Sequence, residues 1–154
     1  MTATPLENYY REQQMSLQWF PFLRAMAGEL SEQTDAQTLR KLWTSIGERA
    51  AQDSREAFEG VNTLGALTNA LNDYLARINW GVVEISEIPA GIAIDHHGAP
   101  LAEAFGDDAL VWSIGFLEGF YQTLFGLLGA GPSMRVRAIE EECEALHLRF
   151  RFGR

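Results

Sequence analysis

The chain has 154 residues, 47% of them hydrophobic, which is enough for one domain with a substantial core and no need of cross-links. Its net charge is −9 and Lys41 is its only lysine, which argues against nucleic acid and anionic membrane as partners, since both reward a basic face. Cys143 stands alone, so no disulfide can close within the chain, and residues 1–30 lack the basic-then-apolar order of a secretion signal; the expectation is a cytoplasmic rather than a periplasmic location.

The first segment, NYYREQQ over Asn8 to Gln14, is polar and aromatic together. Behind it Leu17, Phe20, Leu23, Met26 and Leu30 recur at helical spacing and predict a first helix. Pro21 removes a backbone donor and predicts a break near Trp19 and Phe20, which sets off residues 1–15 as an N-terminal arm. Thr34 followed by Gln37 reads as a capping box ahead of a second helix with Leu39, Leu42, Trp43, Ile46 and Ala50 on one stripe. Asn62 or Thr63 caps a third, striped by Leu64, Leu67, Leu71, Tyr74, Leu75 and Ile78, with Gly81 just past its end. Trp19, Trp43 and Trp80 fall on apolar stripes and are expected in the core.

From Val82 the period changes from helical to alternating. Val82 to Ile88 and Gly91 to Asp95 form a hairpin across Pro89-Ala90. Ala99 to Phe105 allows two helical turns, and then Leu110 to Leu128 (LVWSIGFLEGFYQTLFGLL) gives the longest apolar run, a core helix with Asp107 or Asp108 as N-cap. It is not read as membrane-spanning, because it carries Glu118 and Gln122 and follows two aspartates. Its one small or polar stripe is Gly115, Glu118, Gly119, Gln122 and Gly126, where a sheet or a second subunit can approach closely. A second hairpin closes the chain, with Met134, Val136 and Ala138 alternating with Arg135 and Arg137, and Leu146, Leu148, Phe150 and Phe152 alternating with His147, Arg149 and Arg151.

This order predicts a single α+β domain over 1–154, with three N-terminal helices, a β-hairpin, a long core helix and a second β-hairpin. The strands form a four-stranded antiparallel sheet with helices packed on it. Arg135, Arg137, Arg149 and Arg151 then stand on the far face of the sheet, which is either a solvated surface or, with Gly115, Glu118, Gly119 and Gln122, part of a subunit interface.

A catalytic or metal centre is not expected. Asp107 and Asp108 are adjacent and point apart, and the glutamates of 140–144 sit in a turn, so no two carboxyls stand ready across a glycosidic bond. His96 and His97 project to opposite faces, and no Cys-x-x-Cys or His-x-x-x-His spacing occurs, so no metal and no cofactor is predicted. Glu118 is predicted to pair with an arginine or to face a subunit boundary rather than to grip a ligand. What remains is the N-terminal segment: Asn8, Tyr9, Tyr10, Arg11, Gln13 and Gln14 combine flat aromatic faces with hydroxyl-binding side chains, as polysaccharide grooves do.

Two blocks carry a resemblance. LNDYLARINWGVVEI (Leu71 to Ile85) and FLEGFYQTLFG (Phe116 to Gly126), in that order, resemble the D subunit of bacterial cellulose synthase. The resemblance implies a non-catalytic accessory protein of the cellulose-secreting machine, built from dimers into an octamer. It also implies inner passages for nascent glucan chains, bordered by N-terminal segments and so by Asn8, Tyr9, Tyr10, Arg11 and Gln14, and further proteins of the cellulose synthase complex as partners. The C-terminal half is also similar to the four-vinyl-reductase domain, a small-molecule-binding module related to vesicle-tethering subunits. It departs from that pattern after Cys143, where EALHLRF replaces a glycine and a second cysteine. Such a module needs an enclosed apolar pocket beside the core helix, between Phe116, Phe120 and the strands.

Overall fold

A computed structural model of the protein describes residues 3–154, so Met1 and Thr2 of the predicted arm lie outside the described residues. Four α-helices precede the first strand: α1 (Pro5–Gln14), α2 (Phe20–Gln33), α3 (Ala36–Asp53) and α4 (Leu64–Ile78). The additional helix is the arm itself. The break expected near Trp19 and Phe20 lies over 15–19, and Pro21 falls in the first turn of α2 just after it, where no backbone donor is needed. The cap of α3 is Asp35 and not Thr34. Its carboxylate accepts Thr38 N–H at 2.7 Å, while the Thr34 N–H still closes α2 onto the Leu30 carbonyl at 3.1 Å. Thr63 caps α4 through Ala66 N–H at 3.1 Å, and Asn79 ends it in the left-handed conformation at φ 57°.

The sheet consists of β1 (Val82–Ile88), β2 (Gly91–His97), β3 (Arg135–Ala138) and β4 (His147–Gly153), antiparallel throughout in the order β1-β2-β4-β3. The register aligns Val83, His96 and Leu148 across it, and likewise Ile85, Ile94, Phe150 and Ala138. These residues face the helices, and Val83, Ile94, Leu148 and Phe150 are buried. The other face carries Glu84, Arg137 and Arg151, all exposed. The α+β architecture is therefore the one the alternation predicts.

Between the hairpins lie α5 (Leu101–Phe105), a 3-10 turn over Asp107–Ala109, α6 (Leu110–Ser113) and α7 (Gly115–Leu127). The predicted core helix is thus divided by a tightened turn at Ile114, which keeps right-handed helical angles (φ −60°, ψ −21°). Neither Asp107 nor Asp108 caps it. The chain arrives instead through Gly106 at φ 106°, and Asp107 is held elsewhere by an arginine.

Helix α7 lies between the sheet and α3. Toward the sheet it buries Leu117, Tyr121, Leu124 and Phe125, with Phe125 stacked on Phe152 at 4.3 Å and Tyr121 edge-on to Phe150 at 5.6 Å. Toward α3 it presents its glycines. A Cβ on Gly119 would overlap the Thr44 carbonyl, one on Gly115 would meet the Arg40 carbonyl at 2.6 Å, and one on Gly47 of α3 would overlap the Phe116 carbonyl. The neighbour that the small stripe accommodates is therefore α3 of the same chain, which fills the space a second subunit would need at Gly115 and Gly119. Of the tryptophans expected in the core, Trp43 is buried, whereas Trp19 is 55% exposed because it sits on the connector ahead of α2.

Candidate functional site

The arm is docked by its polar side chains. Thr4 and Glu7 form a reciprocal capping box, with Glu7 N–H to the Thr4 hydroxyl at 3.2 Å and Thr4 N–H to the Glu7 carboxylate at 2.6 Å. Hydrogen bonding to the carboxylate from Thr4, its backbone N–H first and its hydroxyl second, holds the Glu7 carboxyl below its ordinary range. One turn on, Arg11 reaches Glu103 at 2.8 Å and Asp107 at 2.9 Å, tying α1 to α5 and the 3-10 turn. Gln14 donates to the carbonyls of Gly98 and Asn79, and the Asn79 amide donates back to Gln13 O at 3.5 Å.

The receiving surface requires glycine. Gly81 (φ 85°) and Gly98 (φ 81°) cross so closely that a Cβ on Gly98 would meet Gly81 Cα at 3.3 Å and the Tyr10 ring at 3.0 Å. Tyr10 is thus half-packed against that crossing, while Asn8 and Tyr9 stay exposed.

Docking leaves an open groove of about 660 Å³ between α1, the 3-10 turn and the 144–147 turn, lined by Glu7, Arg11, His97, Asp107, Glu144 and His147 and, to a like extent, by apolar residues that include Leu110 and Leu146. His97 and His147 are register partners, and their rings stack at 4.4 Å with 10° between planes; His147 also bonds Asp95 at 2.8 Å. Of the predicted passage residues, only Arg11 lines this groove. Gln14 and Tyr10 anchor the arm, and Glu7, His97 and His147 are groove residues that the reading of the sequence missed. The spacing of Glu7 and Arg11, four apart on one helical face, was the available signal for Glu7; the histidines come together only through strand register.

Glu118, predicted to pair with an arginine or to face a subunit boundary, takes the arginine, and Gln122 also bonds within the chain. Glu118 pairs with Arg40 at 2.8 Å and accepts Ala138 N–H at 2.9 Å; Gln122 accepts Val136 N–H at 2.8 Å and donates to Met134 O at 3.0 Å. Arg40 also pairs with Glu140. Together they satisfy the outer edge of β3, which would otherwise offer a free ladder. Asn72 occupies one position on the outer edge of β1, accepting Val83 N–H at 2.7 Å and donating to Val83 O at 3.0 Å. Arg135, Arg137 and Arg151 are exposed on the sheet, while Arg149 lies 3.4 Å from Glu142 and 3.7 Å from Asp95.

Among the described residues, buried Phe120, Tyr121 and Phe150 occupy the region between α7 and the strands where a small-molecule module would need its pocket, Tyr121 packing edge-on to Phe150 at 5.6 Å. An apolar hollow of about 380 Å³ lies instead between α2 and α3, with Phe116 on its wall. Cys143 is half-buried, its thiol raised above its ordinary pKa mainly by burial and bonded to Ile139 O at 3.3 Å, so it is held as the unreactive thiol. Among the described residues no group of three His, Cys, Asp or Glu side chains is placed to hold a metal ion, and no helix is long and apolar enough to cross a membrane.

Comparison with known proteins places this geometry in a family. The family model for the D subunit of cellulose synthase matches residues 5–151. Cellulose synthase operon protein D of Komagataeibacter xylinus is 29% identical over 102 residues, covering 65% of this chain and 64% of the relative. The same figures hold for cellulose synthase operon protein D of Komagataeibacter sucrofermentans. The match thus spans just under two thirds of the length of these curated relatives.

Proposed function

The chain belongs to the family of the cellulose synthase D subunit, and from that premise we propose that it serves bacterial cellulose synthesis as a non-catalytic accessory protein, a homo-oligomeric scaffold that guides nascent glucan chains. The observation that carries the reading is the groove beside the arm. A glucan is neutral, with hydroxyls around its edge and apolar C–H faces. The groove offers carboxylates as acceptors in Glu7, Asp107 and Glu144, a guanidinium donor in Arg11 and flat imidazole faces in His97 and His147. Asp107 is already engaged by Arg11 and Glu7 by Thr4, which suits holding hydroxyls better than passing protons. Being open to solvent, the groove favours many weak contacts, which guide a moving chain without trapping it.

Within this reading residues 1–154 form one domain whose copies assemble as dimers toward an octamer. Asn8 and Tyr9, exposed on the arm, complete the passage wall with Arg11. Arg135, Arg137 and Arg151 supply a cationic surface on an otherwise acidic molecule for other proteins of the cellulose synthase complex, and the assembly works at the cytoplasmic side. The test of the groove is an NMR titration of the protein with cellopentaose. Weak, saturable shifts of residues in α1, at His97 and over 144–147 support it; shifts elsewhere, or none at millimolar ligand, overturn it.

A further inference from the structure

Helices α2 and α3 share an apolar strip that nothing among the described residues covers. On α2, Phe22, Met26 and Leu30 follow one flank at four-residue spacing, and Trp19 extends it past the helix start; Trp19 and Phe22 meet edge-on at 6.0 Å. On α3, Leu42 and Ile46 stand one turn apart across the hollow of about 380 Å³, whose floor includes Trp80 and Phe105. All nine residues lining that hollow are apolar. Yet Trp19 is 55%, Phe22 58%, Leu42 47% and Ile46 41% exposed.

We propose that this strip is a contact surface between two copies of the chain, the Trp19–Phe22 pair of one copy seated in the hollow of the other. The inference rests on the scaffold reading and moves its interface away from Gly115 and Gly119, which α3 already covers. Area supports a second copy. Large apolar side chains at about half exposure each leave on the order of 100 Å² open, so the four exposed ones and the hollow walls offer roughly 500 Å². That is near the upper end of what a lone monomer leaves uncovered and most of the ~800 Å² per partner that a standard interface buries.

Charge points the same way. Two copies that each carry −9 repel over most of their surface, and a strip built from Trp19, Phe22, Met26, Leu30, Leu42 and Ile46 brings no charge to the contact. The residues lining the hollow offer a glucan's hydroxyls no carboxylate, amide or guanidinium partner. A small ligand in the hollow would leave the Trp19–Phe22 ridge uncovered. A ridge beside a hollow on the same face is self-complementary under two-fold symmetry, which closes the assembly at this contact.

The test is the solution mass by sedimentation of the wild type and of three variants: Leu42→Glu with Ile46→Glu, Phe22→Arg, and Arg137→Glu with Arg151→Glu. The strip substitutions fall on exposed sites, and circular dichroism checks that each variant keeps its helices. The expected result is a multimeric wild type, at least a two-fold drop in mass for both strip variants, and an unchanged mass for the sheet-face variant. Wild-type mass in both strip variants overturns the inference and leaves the scaffold reading standing. A monomeric wild type overturns both, and a monomer carrying one copurified apolar molecule per chain in native mass spectrometry assigns the strip to a ligand instead.

Discussion

The Glu118 carboxylate accepts the Ala138 N–H at 2.9 Å, so a side chain of the central helix completes the open edge of the last strand to pair. Its other oxygen takes Arg40 at 2.8 Å, and both partners are largely withdrawn from solvent. Glu118→Ala leaves the part-buried Ala138 amide without its acceptor and strips Arg40 of one of its two carboxylate partners, and it is expected to lower the unfolding free energy by about 2–3 kcal/mol in urea titration. Glu118→Gln keeps an acceptor for Ala138 and should cost about half as much. Equal losses would show that the charge pair, rather than the strand edge, dominates.

The crossing of α3 and α7 predicts a contrast among glycines. Gly119→Ala and Gly47→Ala drive a methyl into the Thr44 and Phe116 carbonyls, backbone atoms that cannot step aside, and each should destabilise by about 3 kcal/mol or more. Gly28→Ala, in mid-helix on α2 with open space around it, should instead stabilise by about 0.5–1 kcal/mol. Thermal unfolding of the three variants checks both signs.

His96 predicts a pH dependence. Its Nδ1 lies 2.6 Å from the Tyr121 hydroxyl and its Nε2 lies 2.7 Å from the Trp80 carbonyl, which can only accept. Nε2 therefore carries the proton and Nδ1 accepts from Tyr121, a fully occupied neutral ring. Burial, opposed by the Trp80 bond, lowers its pKa from 6.5 to about 4. The unfolded chain then binds the extra proton first, so the contribution of His96 is complete above pH 6.5 and is lost as pH falls toward 4, at most about 3 kcal/mol. Unfolding free energies at pH 7 and pH 4.5 should differ accordingly, and His96→Leu should flatten that part of the profile while lowering stability at pH 7.

The contrast between what the sequence disclosed and what it concealed follows from the range of the interactions. Period-two runs such as Arg135 to Ala138 and the stripe of α4 report burial by neighbours a few residues away, and they located both hairpins and most helices. The cap at Asp35 was missed because Thr34 and Asp35 satisfy the same local rule, and only the preceding helix end decides between them. Gly115 and Gly119 announced a close approach without naming the neighbour, since α3 lies some seventy residues back along the chain. The groove was half legible: Arg11 stood out, but the stacking of His97 on His147 depends on strand pairing over fifty residues.

Docking of the arm predicts a separation of stability from product. Arg11→Ala removes both links from α1 to α5 and the 3-10 turn. Since α1 buries no residue fully, the cost in global stability should stay within about 1 kcal/mol, while hydrogen exchange over 5–14 should rise sharply. A loss comparable to a core substitution would mean that the arm belongs to the folding unit.

The central claim, that the groove and arm guide glucan without catalysing its synthesis, is tested most directly by cellulose made in cells whose own copy of the gene is replaced. The variants are Tyr9→Ala with Tyr10→Ala, and Glu7→Gln with Glu144→Gln, each first shown to keep the wild-type solution mass. The quantities to measure are cellulose yield and crystallinity by X-ray diffraction of the fibres. The account predicts intact assembly with lower yield or less crystalline cellulose; wild-type cellulose from both variants would contradict it.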